Sequence, residues 1–163
     1  MNEKVKQNQS DFLEHLNSFR DKFEKFYGQK YFIDNIPEIL SESIRYINST
    51  GGKRIRPFLV YECASLFDVK FEESIDAAIA IEMVHTYSLI HDDLPAMDDD
   101  DMRRGNETLH KKYNEAIAIL SGDALLTDSF VLLVERYKNI DIHICIELIK
   151  LLSKSAGSAG MVG

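Results

Sequence analysis

Six aspartates fall within ten residues of this chain, and two arginines follow them closely. The acids are Asp92, Asp93 and the run at 98–101, and the bases are Arg103 and Arg104. Carboxylates this close together repel one another unless a cation neutralises them. Mg²⁺ commonly binds one or two carboxylates together with substrate phosphates, and guanidinium groups match phosphate geometry. The segment therefore predicts a magnesium site that also receives a phosphorylated ligand, with a solvated acidic loop as the alternative.

The spacing of Asp92 and Asp98 requires a break in the helix if both are to bind one ion. Six residues on an ideal helix correspond to a rotation of about 240°, so the two side chains would diverge. Pro95 lies between them and cannot continue a helix. A kink there that loops out two residues brings Asp98 to the i+4 position of Asp92. A calcium EF-hand fits poorly, because Arg103 stands where its loop needs glycine and Leu109 where it needs glutamate.

A second charged motif, GGKRIRP, spans residues 51–57. Its glycines allow close approach of the backbone to a ligand, and Lys53 and Arg56 are spaced to hold one anion. Taken alone, the motif also fits a helix C-terminus followed by solvated bases. His85 lies about two helical turns before Asp92 and shares its face, so it is either a core histidine or a phosphate contact. An anion site beside an acid cluster is suited to a pair of diphosphates.

Helices are predicted to position these motifs, because proline is rare and strand patterns are few. Apolar residues repeat at spacings of three and four from Phe12 to Phe26, which predicts a helix that ends near Gly28. Residues 140–148 alternate like a strand, but the apolar residues that follow have helical spacing, so the pattern favours neither. No repeat or linker indicates a domain boundary. The other predicted helices run from Pro37 to Gly51, over 57–67, 72–91 and 111–120, and from Ser121 as N-cap to about 137, with 92–107 irregular.

The composition excludes several classes of function. The chain of 163 residues is long enough for one domain, and its net charge is −8. Without the six aspartates, 21 acidic residues face 19 basic ones, so the acidity is local and nucleic-acid binding is not expected. Two distant cysteines give no disulfide framework or zinc spacing. A polar N-terminus and the absence of a long apolar run predict a cytoplasmic protein with no membrane span.

Three strings carry a resemblance to a known family: GGKRIRP, HTYSLIHDDLPAMDDDDMRRG and HKKYNEAIAILSGDALLT. They resemble the trans-isoprenyl diphosphate synthases, most closely the bacterial-type farnesyl diphosphate synthases, and the middle string matches the first aspartate-rich motif, DDxxxxD. The resemblance implies an all-α isoprenoid-synthase bundle around a central cavity, Mg²⁺ as cofactor and a homodimer. It also favours helix over 139–157.

The activity that the resemblance implies is that of a prenyltransferase. It joins isopentenyl diphosphate to dimethylallyl or geranyl diphosphate and yields farnesyl diphosphate by ionisation, condensation and elimination. Asp92 and Asp98 are the expected metal ligands, with Asp93 as a weaker candidate, and Arg103 is the expected allylic-diphosphate contact. Asp92, Asp98 and Arg103 are therefore the expected catalytic residues, while Arg54 occupies a variable position and is given no role. The expected isopentenyl diphosphate contacts are Lys53, Arg56, His85 and Arg104.

Product length in the family depends on bulk beneath the first aspartate-rich motif, where Tyr87 and Ser88 lie. An aromatic residue at Tyr87 resembles farnesyl synthases, whereas geranylgeranyl diphosphate synthases, the alternative, often carry a smaller one. Ser88, one turn below Asp92, leaves room for a chain to pass, and Tyr87 could also be an ordinary core aromatic. The second aspartate-rich motif is absent from the sequence, so residues 1–163 are expected to form one all-helical domain, the N-terminal portion of a longer synthase, inactive alone. A non-catalytic helical partner subunit is the alternative.

Overall fold

The computed structural model describes residues 3–30 and 36–163, with side chains described for 10–28 and 36–163. Helices dominate these residues, and a short antiparallel hairpin accompanies them, which confirms the predicted all-α class. The elements in chain order are α1 (Glu3–Lys30), α2 (Glu38–Ser49), α3 (Ile55–Ser65), α4 (Phe71–Asp92), β1 (Met102–Arg103), β2 (Asn106–Glu107), α5 (Leu109–Lys112), α6 (Glu115–Tyr137) and α7 (Ile142–Ala156).

Helix α4 forms the centre of the fold and packs mainly against α3 and α6. Its residues Ile75, Ile79, Met83 and Ile90 are almost fully buried. A helix with apolar residues on all sides is stable only when neighbours cover it. Because α4 ends at Asp92, the packing of the core also determines where the acidic segment begins.

The predicted apolar stripe of α1 packs on α3. Leu16, Phe19 and Phe23 are buried, and the Phe19 ring stacks on Tyr61 with 5.3 Å between centroids. Aromatic pairs at such distances add to the stabilisation that area burial gives. The helix continues to Lys30, two residues past the predicted end at Gly28.

The predicted break at Ser121 is wrong, because α6 runs through it without interruption. Ser121 is fully buried, and its hydroxyl lies 2.7 Å from the hydroxyl of Ser43 on α2. The helix instead begins after Asn114, whose side-chain oxygen accepts a hydrogen bond from the N–H of Ile117. A serine that joins two helices in the core is indistinguishable in sequence from a capping serine.

The ambiguous segment at 140–148 is helical from Ile142 onward. Asp141 caps α7 by accepting a hydrogen bond from the N–H of His143, and Cys145 is buried beside Leu133. Ile144 and its alternating neighbours are about half exposed, so their period-two pattern does not mark a buried strand face. The resemblance gave the correct structure here.

The segment at 92–107, predicted to be irregular, contains the hairpin of β1 and β2. Met102 pairs with Glu107 and Arg103 with Asn106. Arg104 and Gly105 form the turn with φ values of 54° and 80°, the two positive values that a type I′ turn requires. The hairpin therefore fixes the positions of both arginines.

Helix α6 is long and apolar enough to cross a membrane, with a mean hydropathy of 1.8 over its most apolar window. It packs against α2, α4, α5 and α7. Core helices of soluble proteins share this length and composition, so the property is weak evidence for a membrane span. The absence of a span stays a prediction.

Candidate active site

The end of α4 folds back so that Asp98 returns to Asp92. The main-chain N–H of Asp98 donates to the carbonyl of Asp92 at 2.8 Å, and the N–H of Asp99 donates to the carbonyl of Leu94 at 3.1 Å. Pro95 lies exposed within the loop thus closed. The two main chains therefore meet as the spacing argument requires, while the metal-ligand roles of Asp92 and Asp98 stay predictions.

Asp93 is buried beneath Arg103. Its Oδ1 accepts a hydrogen bond from Arg103 Nε at 2.6 Å and lies 2.5 Å from Arg103 Nη2. Burial raises the pKa of the Asp93 carboxyl despite the neighbouring arginine, and the hydrogen bond to Asp93 raises the pKa of Arg103. Arg103 thus crosses from the hairpin to the end of α4, with its guanidinium a quarter exposed.

The four residues predicted to hold isopentenyl diphosphate line one polar cavity of about 250 Å³. Arg56 Nη1 lies 3.3 Å from His85 Nε2. Burial, followed by the charge of Arg56, lowers the pKa of His85, so its imidazole is neutral at pH 7 in the absence of ligand. The complete lining is Lys53, Arg54, Ile55, Arg56, Glu82, His85 and Arg104.

Arg104 reaches this cavity from the hairpin turn by crossing the two glycines of the GGKRIRP motif. Its Nη1 donates to the carbonyl of Gly51. A Cβ atom added at Gly52 would lie only 2.6 Å from the same nitrogen. The sequence predicted that these glycines permit close approach; the structure shows that an arginine of the chain itself makes the approach.

A larger apolar cavity of about 550 Å³ shares two of these residues, Arg56 and His85. Tyr87 and Ser88 are not among the residues that line it. Tyr87 is buried, with its ring edge-on to His91 at 5.4 Å, and the Ser88 hydroxyl donates to the carbonyl of His85. Their roles in product length stay predictions. The apolar lining comes from α3, α4 and α6 and from the α7 segment, and includes Leu59, Val60, Ala80, Ile81, Val84, Leu133, Leu148 and Leu152.

Two features of the site were missed in the sequence. Arg54 is buried and paired with Glu82 on α4, although the resemblance gave Arg54 no role. The signal in the sequence was Glu82, a charged residue within the largely apolar α4. Because glutamates are rarely buried unless they are paired, it indicated a basic partner. The second feature is a group of metal-ligating atoms from Asp99, Asp101 and His110, all within 4.8 Å of one another.

A polyprenyl synthetase family model matches residues 37–159. The chain belongs to the polyprenyl synthetase family. A farnesyl diphosphate synthase from Micrococcus luteus is 53% identical over 123 residues, which are 76% of this chain and 42% of that protein. The resemblance to the isoprenyl diphosphate synthases, and to farnesyl diphosphate synthases in particular, is confirmed.

Two solved structures superpose closely on the chain. An FPP/GFPP synthase from Zymomonas mobilis has a TM-score of 0.87 at 39% identity, covering 94% of this chain and 56% of its own. A geranyltransferase from Helicobacter pylori complexed with magnesium and isoprenyl diphosphate has a TM-score of 0.77 at 39% identity, covering 92% and 51%. The chain spans about half the length of the curated relatives it matches.

Proposed function

We propose that this chain supplies the isopentenyl diphosphate site and the first metal motif of a prenyltransferase that makes farnesyl diphosphate. One observation supports the proposal above the others. A polar cavity lined by four positively charged side chains, by Glu82 and by His85 shares two residues with an apolar cavity. A ligand with an anionic head and a short hydrocarbon body matches such a pair, and isoprenyl diphosphates have that form.

The acidic loop fits Mg²⁺, because carboxylate oxygens are the ligands that this ion prefers. Asp92 and Asp98 would hold it, and Asp93 is the weaker candidate since Arg103 already binds its carboxylate. When bound, Mg²⁺ supplies positive charge that stabilises a departing diphosphate. The proposal extends to this chain the magnesium that accompanies isoprenyl diphosphate in the Helicobacter pylori geranyltransferase.

The residues of the chain then hold the two substrates and exclude water. Lys53, Arg56, His85 and Arg104 bind the diphosphate of isopentenyl diphosphate, and Arg103 contacts the allylic diphosphate. The carbon–oxygen bond of the allylic substrate breaks and diphosphate leaves with the electron pair. The double bond of isopentenyl diphosphate then attacks the allylic carbon, and the resulting cation loses a proton to the departed diphosphate. Apolar walls protect the cationic intermediate from hydrolysis. The charged side chains are already held in place, so they need little reorganisation when charge develops in the transition state.

The proposed product is farnesyl diphosphate because Tyr87 places a large ring five residues before Asp92, about 7.5 Å along the helix axis. Its burial and the edge-on contact of its ring with His91 support a ring that is held in one place. Exposed apolar side chains on α6, such as Leu120 and Val131, support a homodimer. We also propose a cytoplasmic location, and a single helical unit at residues 1–163 that forms the N-terminal portion of such a synthase.

A chimera tests this function. Residues 37–159 replace the matching segment of the Micrococcus luteus synthase, and the purified protein receives isopentenyl diphosphate, geranyl diphosphate and Mg²⁺. We expect farnesol on chromatography after dephosphorylation, and its loss in Lys53→Met but not in Lys154→Met, an exposed lysine that lines neither cavity. A chimera that is folded by circular dichroism yet releases no prenyl product, or two lysine variants with equal rates, would contradict the proposal.

A further inference from the structure

Arg54 has the geometry of a residue under constraint. It is 4% exposed and stands directly before α3 with φ at 50°, the left-handed region that side chains with a Cβ atom rarely adopt. Such a conformation persists only where the surroundings hold it in place. Arg54 also lies between Lys53 and Arg56 in the chain, so its conformation sets the direction of both.

The guanidinium of Arg54 is held by three helices. Nε donates to Glu24 on α1 at 2.7 Å, Nη1 donates to Glu82 on α4 at 2.7 Å, and Nη2 donates to the carbonyl of Asn48 on α2 at 3.2 Å. Its Cζ atom lies 5.4 Å from the centre of the Tyr27 ring. Every nitrogen of the group is thus committed to a protein acceptor, which leaves Arg54 poorly suited to bind a diphosphate directly.

Glu82 connects this network to the candidate site. It is 2% exposed and lies three residues before His85 on α4, so the two share a helix face. A buried carboxylate beside an anion site would repel the anion, and burial of such a charge is costly unless it is paired. The pair with Arg54 neutralises Glu82 and ties the segment that leads into α3 to the turn of α4 that carries His85.

We propose that Arg54 is a positioning residue, which acts through Glu82 to fix Lys53 and Arg56 opposite His85 for diphosphate binding. The proposal rests on the proposed function, because it needs the polar cavity to be a diphosphate site. In a positioning role, the affinity for diphosphate depends on the geometry of the Arg54–Glu82 ion pair. In a simple charge effect, the affinity would depend only on the net charge of the cavity.

Two conservative variants separate geometry from charge, with inorganic pyrophosphate as the probe and calorimetry of the whole chain as the assay. Arg54→Lys keeps the positive charge but loses the planar fork. Glu82→Gln removes a negative charge beside the cavity, so charge alone would strengthen pyrophosphate binding. Positioning predicts that both variants bind pyrophosphate about tenfold more weakly, as expected when charged contacts lose their alignment.

Arg136→Lys is the matched control. Its guanidinium pairs with buried Asp76 at 3.0 Å and donates to the carbonyl of Glu72, at the opposite end of α4. We expect it to lower the melting temperature and to leave pyrophosphate affinity unchanged. If Arg54→Lys does not fold, Glu82→Gln still tests the proposal. Positioning predicts that this variant binds pyrophosphate more weakly, whereas charge alone predicts that it binds more tightly.

The outcomes distinguish the two proposals. Unchanged affinity in Arg54→Lys, or tighter binding in Glu82→Gln, overturns the positioning role and leaves the diphosphate site intact. A folded wild-type chain that binds neither pyrophosphate nor isopentenyl diphosphate overturns both proposals.

Discussion

Replacement of Gly52 by alanine should displace Arg104 without disturbing the fold. The added Cβ would lie 2.6 Å from Arg104 Nη1 and 3.2 Å from its Cζ, both at the end of a flexible side chain. Gly52 does not have a positive φ, so alanine is compatible with the backbone. The guanidinium must therefore leave the carbonyl of Gly51, and with it the lining of the polar cavity.

The magnitudes follow from the contacts that are lost. The hydrogen bond from Arg104 to the Gly51 carbonyl is exposed to solvent and contributes about 1 kcal/mol to stability, and the lower entropy of unfolded alanine offsets about 0.4–1 kcal/mol of that loss. The free energy of unfolding should thus change by less than about 1 kcal/mol. A charge-assisted bond to phosphate is worth about 1.5–3 kcal/mol, so pyrophosphate should bind about 10–150-fold more weakly.

Urea unfolding and isothermal titration with pyrophosphate check both values on the same preparation. Gly28→Ala is the matched control, because a Cβ added there meets no atom within 4 Å. It should leave the affinity for pyrophosphate unchanged. Wild-type affinity in Gly52→Ala would refute the role of Arg104 in the cavity.

Three further predictions concern charge, packing and product length. Because its pKa is lowered in the folded protein, His85 should take up a proton when pyrophosphate binds. The affinity for pyrophosphate should then rise between pH 7.5 and 6 more steeply in the wild type than in His85→Asn. Equal pH profiles would argue against a contact between His85 and pyrophosphate. The same shift means that His85 contributes stability above its ordinary pKa of 6.5, which is lost as pH falls below it. Gly122→Ala would place a Cβ against the His91 ring between α4 and α6; the overpacking cost of about 1–3 kcal/mol exceeds the roughly 1 kcal/mol that alanine adds to a helix interior, so urea unfolding should show a net loss of about 1 kcal/mol, and an unchanged or higher midpoint would contradict this packing. Tyr87→Ala in the chimera should lengthen the products on chromatography; an unchanged product spectrum would make Tyr87 a core residue only.

The sequence predicted the parts of the fold that rest on local physics. Apolar periodicity located α1. The proline between Asp92 and Asp98 predicted that the chain folds back there, and the hydrogen bond between the main chains of these two residues shows that it does. Spacing also paired Lys53 with Arg56, which line one polar cavity. Each of these predictions depends on residues near one another in the chain, where rotation per residue and backbone sterics decide the outcome. Only the family resemblance joined the more distant His85 to Lys53 and Arg56.

The remaining features depend on partners distant in the chain. Ser121 carries the same local signal as an N-cap, and only its contact with Ser43 shows that it lies inside a helix. Arg54 meets Glu24 and Glu82 across 30 and 28 residues, so no local pattern could pair them. Arg104 fills the space over Gly52 from 52 residues away, which a motif cannot indicate.

The central claim is that Asp92 and Asp98 jointly hold a divalent cation against a diphosphate. Electron paramagnetic resonance of Mn²⁺ with pyrophosphate, in wild type, Asp92→Asn, Asp98→Asn and the exposed control Asp21→Asn, measures this most directly. We expect bound Mn²⁺ to persist in wild type and Asp21→Asn and to be lost in both other variants. Full Mn²⁺ binding in Asp92→Asn and Asp98→Asn, with loss only in Asp99→Asn, would move the ion to the Asp99, Asp101 and His110 group and contradict the account.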